Sequence, residues 1–184
     1  YMHLGTGNYH HITTRFYTDF GLLTCNEAIG RDVSRIFQQL TSLSSTEGLE
    51  ELLQSPFSLH SGMIKRIKRE AELAREGKPA RIIAKMNGLQ EQKIIEALYD
   101  GSQAGVQIDL IVRGICCLRA GIPGLSENIR VRSILGRFLE HHRVFYFGND
   151  GNPELFRASA DWMKRNLLGR VETCFPVKDP VLFE

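Results

Sequence analysis

The sequence is short of cysteine, of aromatic residues and of any excess of charge. Only four cysteines occur among the 184 residues, and none forms a Cys-x-x-Cys pair. This argues against a disulfide framework or a zinc site and predicts reduced, buried thiols. Aromatic residues make up 9% of the chain, too few to indicate a platform on which bases stack. With 23 basic and 21 acidic residues, the net charge of +2 does not predict a nucleic-acid partner or a membrane surface.

Long apolar runs are also absent, since no stretch approaches the ~20 residues that a membrane span requires. We also expect no signal peptide. Instead, Tyr1 to Leu4 has the pattern of a strand end that enters a glycine-rich loop without any lead-in segment. We therefore expect the chain to be a piece of a longer protein. A Ser/Thr-rich stretch at residues 41–48 predicts a boundary between two units, residues 1–47 and residues 48–184.

Apolar periodicity predicts an alternation of helices and strands. Spacing typical of one helical face predicts helices over residues 26–40, 59–76, 90–104 and 160–168. Short apolar runs predict strands over residues 80–87, 106–112, 143–147 and 155–158, the last two forming a hairpin. Residues 1–24 are typical of strands and loops, and residues 114–132 of a loop with one short helix. Because a strand, a helix and a strand follow one another, the predicted class is α/β.

The strongest local signal for chemistry is a histidine followed two residues later by a cation. His141 and Arg143 have this spacing at the start of a strand. Residues i and i+2 of a strand point to the same side, so the imidazole and the guanidinium would face one ligand. Such a pair suits a phosphoryl group, which the histidine would attack or protonate while the arginine neutralises its oxygens. The alternative is that His141 and His142 are partly exposed residues without a role.

A second signal is the opening loop, residues 5–8 (GTGN), which either surrounds an anion with backbone N–H groups or forms an ordinary turn. Together with His141 and Arg143 it resembles the two halves of the phospholipase D-like pattern. In each half of that pattern, His-x-Lys precedes Gly-Ser-x-Asn. Here Arg143 stands where lysine is usual, and no clean Gly-Ser-x-Asn follows. These departures argue against a phosphodiesterase.

Five longer motifs are similar to the C-terminal half of bacterial polyphosphate kinase. They are YTDFGLLT at residues 17–24, SQAGV at 102–106, IVRGICCL at 111–118, GLSENIRVRS at 124–133 and SADWM at 159–163. The similarity runs over essentially the whole chain, but the N-terminal and helical domains of that family have no counterpart here. The resemblance implies a phospholipase D-like mixed sheet flanked by helices. It also implies reversible transfer of the terminal phosphate of ATP to polyphosphate through a phosphohistidine.

The same resemblance implies roles for individual residues. Tyr17 and Arg113 would contact the nucleotide. His141 would bind ATP and act as the catalytic residue opposite a phosphorylated histidine that lies upstream of Tyr1. Arg170 would line the polyphosphate path. The magnesium ligands of the family are likewise expected upstream, so no metal ligand is named in this chain.

A local density of arginines adds to this expectation. Arg130 and Arg132, together with Arg143, are predicted phosphate ligands, because guanidinium groups pair bidentately with phosphate oxygens and stay charged at any working pH. For Arg130 and Arg132 the alternative is a salt bridge to a nearby acid such as Glu127. Tyr17 would by default be a buried core residue. The remaining internal histidines are expected in loops or on the surface without partners: His10, His11 and His60.

The preferred hypothesis is therefore a C-terminal piece of a polyphosphate kinase that is inactive by itself. Its substrates would be ATP or ADP and polyphosphate, with Mg²⁺ as cofactor and no nucleic-acid partner. The resemblance implies a cytoplasmic homo-oligomer at full length, peripheral attachment to the inner membrane being a variant of this. Two alternatives stay open. One is a phospholipase D-like phosphodiesterase or nuclease acting on lipid or DNA, and the other is a non-catalytic scaffold or oligomerisation module.

Overall fold

The computed structural model describes residues 1–41 and 48–183. Its strands in chain order are β1 (Met2–Gly5), β2 (Tyr17–Thr18), β3 (Gly21–Thr24), β4 (Leu53–Ser55), β5 (Arg81–Met86), β6 (Gln107–Val112), β7 (Ile129–Arg132), β8 (Leu139–Glu140), β9 (Arg143–Phe147), β10 (Glu154–Ala158) and β11 (Glu172–Pro176). Its α-helices are α1 (Glu27–Thr41), α2 (Leu59–Arg75), α3 (Gln92–Gln103) and α4 (Lys164–Leu168). Three short 3-10 turns lie at Thr13–Arg15, Asn149–Gly151 and Pro180–Leu182.

A seven-stranded mixed sheet in the order β4-β11-β10-β9-β5-β6-β7 forms the centre of the fold. β5, β6 and β7 run parallel, whereas β9, β10, β11 and β4 pair antiparallel with their neighbours. α3 connects the parallel neighbours β5 and β6, as the βαβ unit requires. The predicted α/β class with a mixed sheet and flanking helices is confirmed.

The main core lies between this sheet and the helices α2 and α3. The apolar stripe of α2, including Met63 and Ile67, is fully buried with Ile94 and Leu98 of α3. On β6, buried residues alternate with half-exposed ones, because only one face of the sheet is covered by these helices. In the same core, the rings of Phe145 and Trp162 stack with their centroids 4.8 Å apart.

Residues 1–41, from β1 to α1, are joined to the rest of the described chain through apolar packing and through one strand pairing. β1 and β3 pair antiparallel, and Leu4, Ile29 and Ile36 pack with Leu52 and Phe175. At the other contact, β2 pairs in parallel with β8. The pairing brings the segment after β2 next to the segment after β8, which is where the predicted histidine lies.

Most predicted elements agree with the structure, and the differences have local causes. Residues 114–132, predicted as a loop with a short helix, contain the edge strand β7 (Ile129–Arg132), whose four residues are too few for a clear period. The helix predicted over residues 160–168 is limited to Lys164–Leu168. The first residues of the predicted helix pack in the core without helical structure, and Ala160 and Trp162 among them are fully buried. Gly77 adopts a positive φ of 73° and ends α2, as predicted.

The thiol prediction was wrong for two of the four cysteines. Cys25 and Cys117 are exposed, Cys116 is half-buried and Cys174 is buried; all four are free. The boundary predicted at residue 47 falls within residues 42–47, outside the described residues. Within the two described ranges, no helix is long and apolar enough to cross a membrane.

Candidate functional site

The predicted histidine lies in a two-residue connection between β8 and β9. The backbone N–H of His141 donates to the carbonyl oxygen of Thr18 at 3.2 Å, which continues the pairing of β8 with β2. This places the imidazole of His141 beside the ring of Tyr17, with ring centroids 4.9 Å apart. The two residues predicted to serve the nucleotide and the phosphoryl group are therefore neighbours, although 124 positions separate them in sequence.

His141 is hydrogen-bonded to a carboxylate that the sequence did not single out. Its Nδ1 lies 3.0 Å from both carboxylate oxygens of Asp19. A second bond, from the Thr6 hydroxyl to Asp19 at 2.7 Å, orients that carboxylate. Because an ionised carboxylate only accepts, Nδ1 carries the proton and Nε2 carries the lone pair. Within residues 1–41 and 48–183, no hydrogen bond uses Nε2.

The electrostatics around His141 favour the neutral imidazole. Burial lowers the pKa of His141 below its ordinary value, and the positive charge of Arg143 lowers it further, while Asp19 opposes both effects. Arg143 Nη1 also lies 3.4 Å from Nδ1, but the shorter contact to Asp19 defines the tautomer. A neutral imidazole with a free Nε2 at neutral pH can accept a proton or a phosphoryl group.

The side chain of Arg143 is not available to an external ligand. It is buried, and its Nε and Nη2 donate to the two carboxylate oxygens of Asp161 at 3.1 and 2.9 Å. Its Nη1 donates to the carbonyl oxygen of Thr6 at 2.9 Å. This geometry corrects the expectation that Arg143 and His141 face one ligand, because the guanidinium is already paired. It favours a role in holding the opening loop against β9.

The opening loop, predicted as an anion-binding or turn segment, packs on the carboxylate of Asp19. Thr6 is buried, its hydroxyl donates to Asp19, and it accepts from the backbone N–H of Phe20 at 2.9 Å. A Cβ at Gly7 would lie 2.0 Å from an Asp19 carboxylate oxygen, so glycine is required for this close approach. The loop therefore contributes to the site by orienting Asp19.

Side chains at the end of β5 form hydrogen bonds with the backbone of residues 140–142, called here the histidine segment. Lys85 donates to the carbonyl oxygens of Glu140 and His142 at 3.1 and 3.2 Å. Asn87, two residues further and on the same side, donates to the carbonyl oxygen of His141 at 3.0 Å. Three consecutive carbonyl groups are thus fixed from one strand, which leaves the His141 connection little freedom to move.

Arg113 follows β6 directly, at the carboxyl end of a parallel strand, where α/β sheets bind ligands. Its Nε and Nη2 donate to Asn87 Oδ1 at 3.0 and 2.9 Å. A cavity of about 280 Å³ opens beside it, and the exposed apolar side chains of Phe16, Leu135 and Phe138 line part of this cavity. Tyr17, which would by default have been a core residue, is only partly buried.

The remaining predicted phosphate ligands lie apart from this group. Arg130 and Arg132 are exposed on the edge strand β7, and Arg132 pairs with Asp109 at 3.3 Å rather than with Glu127. Arg170 is exposed between α4 and β11. The structure does not bring these three arginines into contact with His141 within its described part.

Four polar residues of the site were missed in the sequence: Asp19, Lys85, Asn87 and Asp161. Asp19 and Asp161 stand inside motifs that were recognised, yet only the fold shows which partners they meet. Asn87 offers a usable signal, because it is the last residue of a predicted strand that is parallel to the one preceding Arg113. His60, predicted to lack a partner, lies in α2 with Nε2 3.0 Å from Glu91.

The described residues contain no cluster of three or more His, Cys, Asp or Glu that could hold a metal ion.

Comparison with known proteins gives consistent matches along the chain. Residues 52–184 match the family described as polyphosphate kinase C-terminal domain 2, and residues 1–46 match polyphosphate kinase C-terminal domain 1. The polyphosphate kinase of Xylella fastidiosa (strain Temecula1) is 64% identical over 182 residues, which cover 99% of this chain and 26% of that protein. The Burkholderia ambifaria polyphosphate kinase is 59% identical over 97% of this chain and 26% of its own length.

A solved structure agrees with these sequence matches. The crystal structure of the polyphosphate kinase from Porphyromonas gingivalis is 45% identical, with a TM-score of 0.94 over 98% of this chain. The match covers 28% of that protein. The chain therefore spans about a quarter of the length of the relatives that it matches.

Proposed function

Because the chain belongs to the polyphosphate kinase family and spans its C-terminal domains, we propose that it forms one wall of the active site of an ATP:polyphosphate phosphotransferase. The observation that carries this proposal is the 3.0 Å hydrogen bond between His141 Nδ1 and Asp19, which leaves Nε2 without a hydrogen-bond partner among the described residues. The phosphorylated histidine and the magnesium ligands would lie in the part of the enzyme that this chain does not span.

In the proposed reaction, the bond between the terminal phosphorus of ATP and its bridging oxygen breaks, and ADP leaves. The phosphoryl group forms a bond to a nitrogen of the histidine that lies outside this chain. It then passes to the terminal oxygen of polyphosphate. Transfer of this kind depends on positioning and on positive charge around the equatorial oxygens. His141 Nε2 faces the phosphoryl group as a proton carrier or hydrogen-bonding partner, in the orientation that Asp19 imposes.

Arg113 and Tyr17 are proposed to contact the nucleotide. Arg113 supports this role because it stands at a ligand-binding edge of the sheet, next to a cavity of about 280 Å³ that is lined by apolar side chains together with Arg137 and Glu140. Tyr17 lies against His141 and would hold the phosphate end of the nucleotide. ATP and polyphosphate are thus the proposed substrates, and Mg²⁺ the proposed cofactor.

The outer arginines Arg130, Arg132 and Arg170 are proposed polyphosphate contacts. Arg130 and Arg170 are exposed, which supports the proposal, whereas Arg132 would have to exchange Asp109 for phosphate. Arg143 would support this site indirectly, through its pairing with Asp161. We also propose a cytoplasmic homo-oligomer at full length, which size-exclusion chromatography with light scattering would test.

The central test replaces His141 in the full-length enzyme. His141→Ala should reduce ATP-dependent polyphosphate synthesis by about 10²-fold or more, since general acid–base groups contribute about 10²–10⁴-fold. His11→Ala is the matched control, because His11 is an exposed histidine of the same chain. Near-normal turnover of His141→Ala would contradict the proposed role. Hydrolysis of a generic phosphodiester by the wild-type enzyme would instead favour the phosphodiesterase alternative.

A further inference from the structure

Among the described residues, Asn87 is the one side chain with hydrogen bonds to both Arg113 and the histidine segment, residues 140–142. It directly follows β5, and Arg113 directly follows the parallel neighbour β6, so the register Met86↔Val112 places them side by side. Asn87 Oδ1 accepts two hydrogen bonds from Arg113, at 3.0 and 2.9 Å. Its Nδ2 donates to the His141 carbonyl oxygen at 3.0 Å and to Asp161 at 3.1 Å.

The partners define the orientation of this amide. Arg113 can only donate, whereas a carbonyl oxygen and a carboxylate can only accept. Oδ1 must therefore face Arg113 and Nδ2 must face His141 and Asp161. Both N–H groups and both acceptor positions of the amide are used, and no other side chain of similar size offers two acceptor positions and two donors together.

Because the Asn87 amide is neutral, its hydrogen bonds do not compensate the positive charge of Arg113. Arg143 is paired with the carboxylate of Asp161, so its positive charge is compensated inside the protein. Arg113 is held by an amide instead, and within residues 1–41 and 48–183 it forms no ion pair with a carboxylate. Its Nη1 group and one N–H of Nη2 have no partner in the same ranges. The guanidinium therefore keeps its charge and three donors for an anion.

We propose that Asn87 is a positioning residue that aims the uncompensated guanidinium of Arg113 and couples it to the His141 backbone. The inference rests on the proposed function, because it takes the anion to be the phosphate chain of ATP. Asparagine is suited to the position because aspartate would neutralise Arg113 and would lie next to Asp161. Alanine would leave both Arg113 and the His141 carbonyl without this partner.

The experiment measures kcat and the KM for ATP in full-length enzyme carrying Asn87→Asp, Asn87→Ala or the control Asn152→Asp, which makes the same change at an exposed position. Asn87→Asp should raise the KM for ATP about tenfold or more, since a charge-assisted contact to phosphate is lost. Asn87→Ala should raise it less, about threefold, because the charge of Arg113 persists. Asn152→Asp should change it by less than about twofold.

A double-mutant cycle separates positioning from general damage. If Asn87 acts through Arg113, Asn87→Asp should add no more than about twofold to the KM of Arg113→Ala, whereas a merely structural effect would be the same in both backgrounds. If Asn87→Asp does not fold, Asn87→Ala and the cycle built on it carry the test. An unchanged KM in both Asn87 variants, with an active wild type, overturns this inference alone. A wild type that makes no polyphosphate from ATP overturns the proposed function together with it.

Discussion

The guanidinium of Arg143 and the carboxylate of Asp161 form a bidentate ion pair inside the protein, with both side chains 7% exposed. Burial by itself would raise the pKa of Asp161, but the Arg143 guanidinium and the donors of Asn87 outweigh it and hold that pKa below its ordinary value. The same guanidinium reaches the Thr6 carbonyl of the opening loop. Arg143 thus links the opening loop to Asp161, next to residues 140–142.

Removal of one partner of the Arg143–Asp161 pair should greatly lower the free energy of unfolding. Asp161→Ala leaves the Arg143 charge buried without a partner, and we expect a loss of about 3–5 kcal/mol in the free energy of unfolding. Urea denaturation followed by the fluorescence of Trp162, the single tryptophan of the chain, measures it. The exposed pair Arg31–Glu50 provides the control, and Glu50→Ala should cost far less. Similar losses for both variants would contradict the assignment.

His141 and His142 should make the free energy of unfolding depend on pH. Burial is the main cause that lowers the pKa of His141 and of His142 in the folded protein. The unfolded chain therefore binds more protons once the pH falls below about 6.5, the ordinary value for histidine. Stability should decrease as the pH falls through that value and level off below the folded pKa.

Unfolding midpoints measured between about pH 8 and pH 5.5 test this dependence. His142→Asn removes one of the two groups and should flatten the curve, whereas His11→Asn, an exposed position, should leave its shape unchanged. A curve that rises toward acid pH in the wild type would contradict the lowered pKa values.

The close approach of Gly114 to Asn87 should not tolerate a side chain. A Cβ at position 114 would lie 2.8 Å from the backbone carbonyl oxygen of Asn87, which accepts the Gly114 N–H at the same distance. Gly114→Ala should therefore cost about 1–3 kcal/mol through forced backbone shifts and should raise the KM for ATP of the full-length enzyme. Gly48→Ala is the control, because its Cβ would meet nothing within 4 Å. Equal stability of the two variants would show that the loop absorbs the change freely.

The attachment of α1 should depend on one buried carboxylate. Asp32 accepts the backbone N–H groups of Glu50, Glu51 and Leu52 at 3.0, 2.7 and 2.9 Å. Asp32→Ala leaves these donors unsatisfied, and at ~1–3 kcal/mol for each such group we expect a loss of about 3 kcal/mol or more. Thermal unfolding measures the loss, with the exposed Ser34→Ala on the same helix as control. A loss below about 1 kcal/mol would mean that water replaces the carboxylate.

Thiol reactivity should separate the four cysteines. Burial raises the pKa of Cys174 to about 12, and burial also raises the pKa of the half-buried Cys116. Cys25 and Cys117 are exposed, so they should react with a thiol reagent first, while Cys174 should react only after unfolding. Mass spectrometry of partially labelled protein gives the order. Early labelling of Cys174 would contradict the packing of β11 against the core.

Local patterns in the sequence determined most of the secondary structure and the class of the fold. Periodic apolar positions such as Met63 and Ile67 predicted α2, and the run ending at Val112 predicted a parallel strand, because burial of one face imposes a period on the chain. The short strand β7 was missed because it depends on its neighbouring strand, and α4 was predicted to start four residues too early because Trp162 is buried in the core. The motifs also identified the family, to which the matches over residues 1–46 and 52–184 assign the chain.

Only the tertiary structure decided which polar groups meet. The spacing of His141 and Arg143 predicted two side chains on one ligand, yet Arg143 turns inward because a buried guanidinium requires a carboxylate, which Asp161 supplies. Asp19 reaches His141 across 122 residues because β2 pairs with β8, and Asn87 reaches Arg113 because β5 and β6 are in register. Sequence spacing carries no information about such pairings when the partners lie on different elements. The amino-acid sequence by itself determined most of the elements and the family and singled out His141, whereas the packing of strands determined the hydrogen bonds that orient its imidazole.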